Sequence, residues 1–306
     1  MIQINNLVKN YGPKAAVKGI SFSVEKGEIV GFLGPNGAGK STTMNILTGY
    51  LSATDGEAKI AGFDVLDEAL EARRHVGYLP EQPPLYLDMT VNEYLNFVYD
   101  LKKAKGGRTK HLREVCEKVG LSDVRYRLIK NLSKGYKQRV GIASALVGDP
   151  EVLILDEPTV GLDPNQIGEI RTLIKELGKE KTVILSTHII PEVMAVCERV
   201  VIISDGRIVA DDKLSNLMDN ASGNKLTVEL DCGKSEGKEL LSSVPGVSEV
   251  SLDGDFFTVT VEQGEDVRRS IFFAAAEKKI PILTIHKAEI SLEKIFADLT
   301  LKGGRM

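Results

Sequence analysis

Short β-rich runs alternating with helical patterns predict an α/β protein built on a mainly parallel sheet, followed by a smaller α+β domain. Three observations lead there. Gly27–Leu33, Val152–Leu155 and Thr182–Leu185 are apolar runs closed by turn residues, and each leads into a helical pattern. The first of them ends in Gly34-Pro35-Asn36-Gly37-Ala38-Gly39-Lys40-Ser41-Thr42, a glycine-rich turn that feeds directly into a helix. Beyond about residue 220 the pattern becomes a β-α-β-β-α-β-α series of amphipathic elements.

At roughly 150 residues per domain, 306 residues suggest about two domains, read here as 1–220 and 221–306. Within the first, residues from about 83 to 147 carry helices alone. Thr90-Val91-Asn92-Glu93 has capping-box spacing, and Val91, Leu95 and Val98 then repeat at i, i+4, i+7, with Tyr94, Phe97 and Leu101 widening the stripe. This is the pattern of an inserted helical subdomain, whose core the aromatics Tyr86, Tyr94, Phe97 and Tyr99 are expected to form. After Ala221-Ser222-Gly223, a strand over Lys225–Leu230, a helix over Glu236–Ser243 and a hairpin of Val247–Leu252 with Phe256–Val261 follow in turn. A helix over Val267–Lys279, a strand over Ile282–His286 and a helix over Ser291–Leu299 complete the series, whose order suits a ferredoxin-like split βαβ unit.

Composition narrows the function classes. With 42% hydrophobic and 27% charged residues the chain can bury a sizeable core, which excludes disordered and collagen-like classes. The longest uninterrupted apolar run, Ile271–Ala276, is far short of the ~20 residues that span a bilayer. The amino-terminal residues lack the basic start and apolar stretch of a secretory signal, so a cytoplasmic chain is expected. Cys116, Cys197 and Cys232 form no paired or zinc-type spacing. A net charge of −4 without a long basic run disfavours binding along a nucleic acid, and no nucleic-acid partner is expected.

The glycine-rich turn fits Gly-x-x-x-x-Gly-Lys-Ser between a strand and a helix. Backbone N–H groups there converge on phosphate oxygens, and the helix N-terminus adds the positive end of its dipole. Gly34, Pro35, Asn36, Gly37, Ala38, Gly39, Lys40, Ser41 and Thr42 are therefore candidate nucleotide-binding residues, with Lys40 on the β- and γ-phosphates and the Ser41 hydroxyl on Mg²⁺. Val152-Leu153-Ile154-Leu155-Asp156-Glu157 is an apolar strand ending in two carboxylates, which places both at the carboxyl edge of a parallel sheet. Asp156 suits the Mg²⁺ shell, and Glu157 suits a base that orients or activates water.

Between these motifs lies Leu132-Ser133-Lys134-Gly135-Tyr136-Lys137-Gln138-Arg139, which resembles the Leu-Ser-Gly-Gly-Gln signature of ABC-type ATPases. The rest of that family's motif set follows in order, and the resemblance covers roughly residues 1–220. It implies a P-loop ABC ATPase domain with an inserted helical subdomain, and it assigns roles that composition cannot. Tyr11 sits where the family stacks an aromatic ring on adenine. Gln82 matches the Q-loop glutamine that senses Mg²⁺ and the attacking water, Gly161-Leu162-Asp163 matches the D-loop, and His188 matches the switch histidine that contacts the γ-phosphate. Taken singly, Tyr11 reads as an edge-strand aromatic and His188 as a turn residue; their places in the series change both readings. The family normally carries Gly at the position of Lys134 and Gln at that of Tyr136, and Lys-for-Gly variants are similar to ABC-2-type exporters.

Through the resemblance Ser133 and Gly135 act across a head-to-tail dimer, on ATP bound by the partner chain. The implied protein is a nucleotide-binding subunit that hydrolyses ATP with Mg²⁺, as a homodimer or as a heterodimer with a related ATPase. It would couple turnover to integral membrane permease subunits, for export, and lie peripherally on the inner face of the cell membrane. The alternatives are a soluble ABC ATPase acting on ribosomes or DNA, or a nucleotide-gated binding module with little turnover. Against the first, the chain holds one nucleotide cassette and no long coiled-coil insertion; against the second, it retains Glu157.

Overall fold

The computed structural model describes residues 1–222, 225–262, 266–288 and 292–303. Gly223 and Ser291, both used in the sequence reading, lie outside the described residues. The chain divides into two compact units, one of Met1–Leu214 together with Phe296 onward and the other of Ser215–Ile295. The division thus falls six residues before the expected one at 220, and the carboxyl-terminal residues group with the first unit.

The first unit opens with β1 (Ile2–Tyr11) and β2 (Lys14–Val24), followed by β3 (Ile29–Leu33) and α1 (Lys40–Leu47). Then come β4 (Asp55–Ile60), β5 (Phe63–Asp64), α2 (Ala69–Arg74) and β6 (Val76–Leu79). Three helices occupy the insertion: α3 (Val91–Leu101), α4 (Arg108–Lys118) and α5 (Lys134–Leu146). The unit continues with β7 (Val152–Asp156), α6 (Pro164–Gly178), β8 (Thr182–Thr187), α7 (Ile190–Val196), β9 (Arg199–Ser204) and β10 (Arg207–Lys213). Helix α8 (Leu214–Ser222) leads out of it.

Two sheets form this unit. The first, ordered β2-β1-β4-β5, is antiparallel and was not foreseen from the sequence. Its strands β1 and β2 pair through several register shifts, which break the period-two alternation that would have revealed them. The second sheet is ordered β10-β9-β3-β8-β7-β6 and is parallel except for the edge strand β10. Every residue of β7 and β8 is buried, as expected of strands covered on both faces. In the register of the three central strands, Leu33 pairs with Thr187 and Asp156 with Ser186. The loops leaving β3, β7 and β8 therefore start from one edge of the sheet, at one level.

The helical insertion follows its local signals. Thr90 caps α3 through a complete capping box with Glu93, a device that contributes about 1 kcal/mol. Val91, Tyr94, Leu95 and Val98 are buried, whereas Phe97 and Leu101, expected on the same stripe, are exposed. The aromatic group divides likewise: Tyr94 and Tyr99 are buried, while Tyr86 and Phe97 pack edge-to-face at the surface with ring centroids 5.3 Å apart.

The second unit comprises β11 (Lys225–Leu230), α9 (Lys234–Ser242), β12 (Val247–Asp253), β13 (Phe256–Val261), α10 (Arg268–Glu277) and β14 (Ile282–Lys287), after which α11 (Leu292–Gly303) begins. Its antiparallel sheet has the order β12-β13-β11-β14, the arrangement of a ferredoxin-like split βαβ unit. Along β11 buried residues alternate with half-buried ones, and Leu226, Val228 and Leu230 join Leu240, Leu241 and Ile271 in a core of their own. Gly254, at φ +64°, opens the two-residue hairpin loop between β12 and β13.

Candidate active site

The turn between β3 and α1 takes its shape from glycines. Gly39 stands at φ +111° immediately before Lys40, and a β-carbon there would lie 2.7 Å from the carbonyl oxygen of Ala16. Only glycine meets both demands without strain. Gly39 is also the N-cap of α1 and supplies no side chain to the first turn, so the leading N–H groups of Lys40, Ser41 and Thr42 stay available to an anion. Lys40 is buried, with Nζ 2.8 Å from the carbonyl oxygen of Gly34 and 3.8 Å from Oε1 of Glu157. Burial pushes its ammonium below the usual lysine range, against the opposing pull of Glu157, Asp156 and Glu81.

At the end of β7 the two carboxylates part company. Asp156 is buried and accepts a hydrogen bond of 2.7 Å from the Ser186 hydroxyl on the paired strand. Burial raises its pKa, while the hydroxyls of Ser186 and Ser41 favour the ionised form. Glu157 leaves the strand in the left-handed region, at φ +49°, a conformation that costs a non-glycine residue about 1 kcal/mol or more. Its backbone N–H is anchored on the Ser186 carbonyl at 2.8 Å. The turn directs its carboxylate to Lys40, to Nδ1 of His188 at 2.9 Å and to the Thr187 hydroxyl at 3.3 Å.

Lys40, Ser41, Thr42, Asn36, Gly37 and Gly39 share a cleft of about 630 Å³ with Tyr11, Glu157 and His188. Tyr11 is half exposed on its wall, with the Lys9 ammonium 5.4 Å from its ring centroid. Gly34 and Ala38 are buried beneath the loop and Pro35 is exposed on it. The cleft also holds Lys14, Glu81 and Val160, which no motif had marked; Glu81 is adjacent in sequence to Gln82. Gln82 itself is exposed in the bend after β6 and is not among the lining side chains.

The remaining candidates stand apart from this cleft. Ser133 caps α5 by accepting from the Tyr136 N–H, and Asp163 caps α6 by accepting from the Gln166 N–H at 3.0 Å. Both are exposed, and Gly135 is buried against the side chain of Gln166. Lys134 lies over Gly161, where a β-carbon would collide with its ammonium. The signature and the D-loop are thus neighbours of each other within the chain.

The donor set can be tested for a metal. Among the described residues no group of three His, Cys, Asp or Glu could hold an ion alone. One buried carboxylate beside one hydroxyl, at a phosphate-binding helix start, is the partial oxygen shell that Mg²⁺ uses when phosphates complete it.

A parallel sheet with a phosphate-binding lysine loop and strand-end carboxylates defines a nucleotide-binding P-loop ATPase. Residues 17–160 match the ABC transporter family, and residues 213–300 match the C-terminal domain of DrrA1-3-like ATP-binding proteins. The chain is 34% identical over 98% of both sequences to the linearmycin resistance ATP-binding protein LnrL of Bacillus subtilis. It is 38% identical to the bacitracin transport ATP-binding protein BcrA of Bacillus licheniformis, over 71% of each. The dimeric structure of a bacterial ABC transporter cassette aligns with a TM-score of 0.64 at 31% identity, covering 70% of this chain and 99% of that one. A post-hydrolysis cassette dimer bound to ADP and phosphate aligns with the same TM-score at 30% identity, over the same shares of the two chains. The chain belongs to the ABC transporter ATP-binding proteins, and its activity is ATP hydrolysis.

Proposed function

We propose that this ATPase works as a dimer on separate membrane permease subunits and drives export, with Mg²⁺ as its metal. One observation carries the catalytic part: Lys40 and His188 both lie within 4 Å of Oε1 of Glu157, at the edge where β3, β7 and β8 end. Phosphoryl transfer to water asks mainly for positioning and charge neutralisation. The α1 N-terminus and Lys40 receive the β- and γ-phosphates, and Tyr11 offers its ring face to the adenine. Ser41 and Asp156 hold Mg²⁺, which when bound neutralises phosphate charge. Glu157 accepts a proton from the attacking water at its carboxylate, while His188 shares Oε1 of Glu157 and faces the γ-phosphate. Gln82, in the bend after β6, is assigned the Mg²⁺ and the attacking water by the family resemblance.

Ser133, Gly135 and Asp163 act in this reading on the partner's nucleotide, which accounts for their place at helix starts away from the chain's own cleft and for the exposure of Ser133 and Asp163. A helix N-terminus capped by Ser133 is well suited to a γ-phosphate. The absence of a helix long and apolar enough to cross a membrane, among the described residues, leaves translocation to separate chains and suits a peripheral place on the inner membrane face. Export is favoured by the likeness to a linearmycin resistance protein and a bacitracin transport protein. The second unit, with its own core and no catalytic cluster among its described residues, serves to support dimerisation or to regulate it.

Glu157→Gln tests the reading. It removes the base and spares Lys40, Ser41 and Asp156, so the variant should bind ATP, form a persistent dimer by chromatography with ATP and Mg²⁺, and lose about 10²-fold or more in phosphate release. Phosphate release at the wild-type rate would remove Glu157 from this role.

A further inference from the structure

Next to the cleft lies a buried carboxylate that no motif contains. Glu192 on α7 is 1% exposed, and both of its oxygens are engaged by hydroxyls. Thr159, on the segment that runs from β7 into Gly161-Leu162-Asp163, donates to Oε1, and Thr187, the last residue of β8, donates to Oε2 at 2.8 Å. The positive charge of Arg171 on α6 favours the ionised form of this carboxylate, and the Arg171 Nε is buried with no hydrogen-bond partner. An ionised carboxylate is costly to bury, and two hydroxyls with one guanidinium nearby offset that cost. Substituting an apolar side chain would be the simpler way to fill this position, so the charge calls for an explanation.

The explanation lies in the single proton of the Thr187 hydroxyl. Its oxygen accepts from the Ile189 N–H at 3.1 Å, which leaves one hydrogen to donate. Two carboxylates compete for it: Glu192 at 2.8 Å and Oε2 of Glu157 at 3.3 Å. The shorter contact goes to Glu192. Were Glu192 not there, the hydroxyl would turn to Glu157 and occupy the oxygen that must accept a proton from water. The same carboxylate also ties the segment ahead of the D-loop to the strand that carries His188.

We propose that Glu192 is a positioning residue for hydrolysis: by holding the Thr187 hydroxyl and Thr159 together, it leaves Oε2 of Glu157 free to act as the base and fixes the switch strand against the D-loop segment. The inference rests on the assignment of Glu157 as the base.

Glu192→Gln is the deciding variant because it keeps the side-chain volume. Its amide nitrogen cannot accept from a hydroxyl, so one of the two threonines must reverse or lose its bond: where that is Thr187 its hydrogen passes to Glu157, and where it is Thr159 the tie to the D-loop segment is lost. In the full-length chain with ATP and Mg²⁺, kcat should fall about tenfold or more while KM for ATP stays within about threefold, the pattern of an interaction that matters in the transition state. Thr187→Val removes the competing proton altogether, so adding Glu192→Gln to it should cost no further kcat. A purely structural role predicts instead that losses add, or that KM and thermal midpoint change along with kcat; either result overturns the proposal, as does a kcat within twofold of wild type. If the Glu192→Gln protein is insoluble, Thr159→Val decides, since it drops one anchor of the same carboxylate, and wild-type turnover there is equally fatal. Glu157→Gln separates the two levels. Wild-type turnover in that variant refutes the base assignment, whereas an inactive Glu157→Gln beside a wild-type-like Glu192→Gln refutes only the role of Glu192.

Discussion

The parallel sheet of the first unit and the antiparallel sheet of the second bury their strands in opposite ways. In β7 all five residues are buried, so no side chain along the strand meets solvent, and its polar chemistry collects at the end, in Asp156 and Glu157. In β11 every second residue is buried, and the polar residues Lys225, Thr227 and Glu229 spread along one face. A strand covered on both faces concentrates its ionisable groups at the sheet edge, where burial and neighbours shift their pKa values; an amphipathic sheet disperses them. Asp156 at the end of β7 is displaced from its ordinary value chiefly by burial, and so are Lys40 on α1 and Glu192 on α7.

The sharpest way to break this comparison is at Lys40. Lys40→Ala should abolish nucleotide binding or turnover, measured by nucleotide titration and phosphate release, whereas Lys134→Gly should leave hydrolysis measurable. The reason is position: Lys40 lies in the cleft, and Lys134 lies over Gly161 outside it. Complete inactivity of Lys134→Gly would show that the signature has come to depend on its lysine.

A second test uses equal damage in unequal places. Ile184 in β8 and Leu240 in α9 are both fully buried, and each truncation to Ala should cost about 2–5 kcal/mol. Ile184→Ala should lower the temperature at which ATP turnover is lost. Leu240→Ala should destabilise the second unit, seen as a separate earlier transition by calorimetry, with nucleotide binding retained. Equal loss of binding in both variants would mean that the two cores do not melt independently.

A chain ending at Asn220 should still bind ATP but dimerise more weakly and turn over several-fold more slowly. It also removes the residues from Phe296 onward, where the Ser204 hydroxyl donates to the Thr300 carbonyl at 3.4 Å, so a chain ending at Ile295 is the matching control. Unchanged dimer mass and turnover in the shorter chain would leave the second unit with no part in the cycle.

The smallest expected effect is on pH. Asp156 has a raised pKa in the fold, so the folded protein holds this proton to higher pH than the unfolded chain does, and the stability that Asp156 contributes is lost as pH rises from the unfolded toward the folded value. Mg²⁺ requires the ionised form, so affinity for Mg²⁺-nucleotide should weaken as pH falls toward the raised value. Titration calorimetry at several pH values checks this, and Asp156→Asn should flatten the dependence.

Much of this was legible in the sequence, for identifiable reasons. Phosphate binding by a helix start needs glycines and a lysine at fixed offsets, so the loop from Gly34 to Thr42 announced itself. The hairpin around Gly254 and the capping box at Thr90 are equally local. Other features left no local trace. Strands β1 and β2 were hidden by their register shifts, and Phe97 and Leu101 fit the apolar period of α3 yet face solvent. Glu81, beside Gln82, could have been suspected only as a neighbour of a marked residue.

The sequence by itself determined the glycine-rich turn between a strand and a helix at Lys40, which strands are buried on both faces, and the order of elements in the second unit, because each depends on chemistry or periodicity within a few residues. Tertiary structure alone decided that Leu33, Asp156 and Thr187 end their strands side by side, that the chain's own Ser133 stands away from its Lys40, and that Glu192 competes with Glu157 for one hydroxyl proton. Those facts join residues 30 or more positions apart, or set two acceptors 2.8 and 3.3 Å from one donor, and only strand register and helix packing fix distances of that kind.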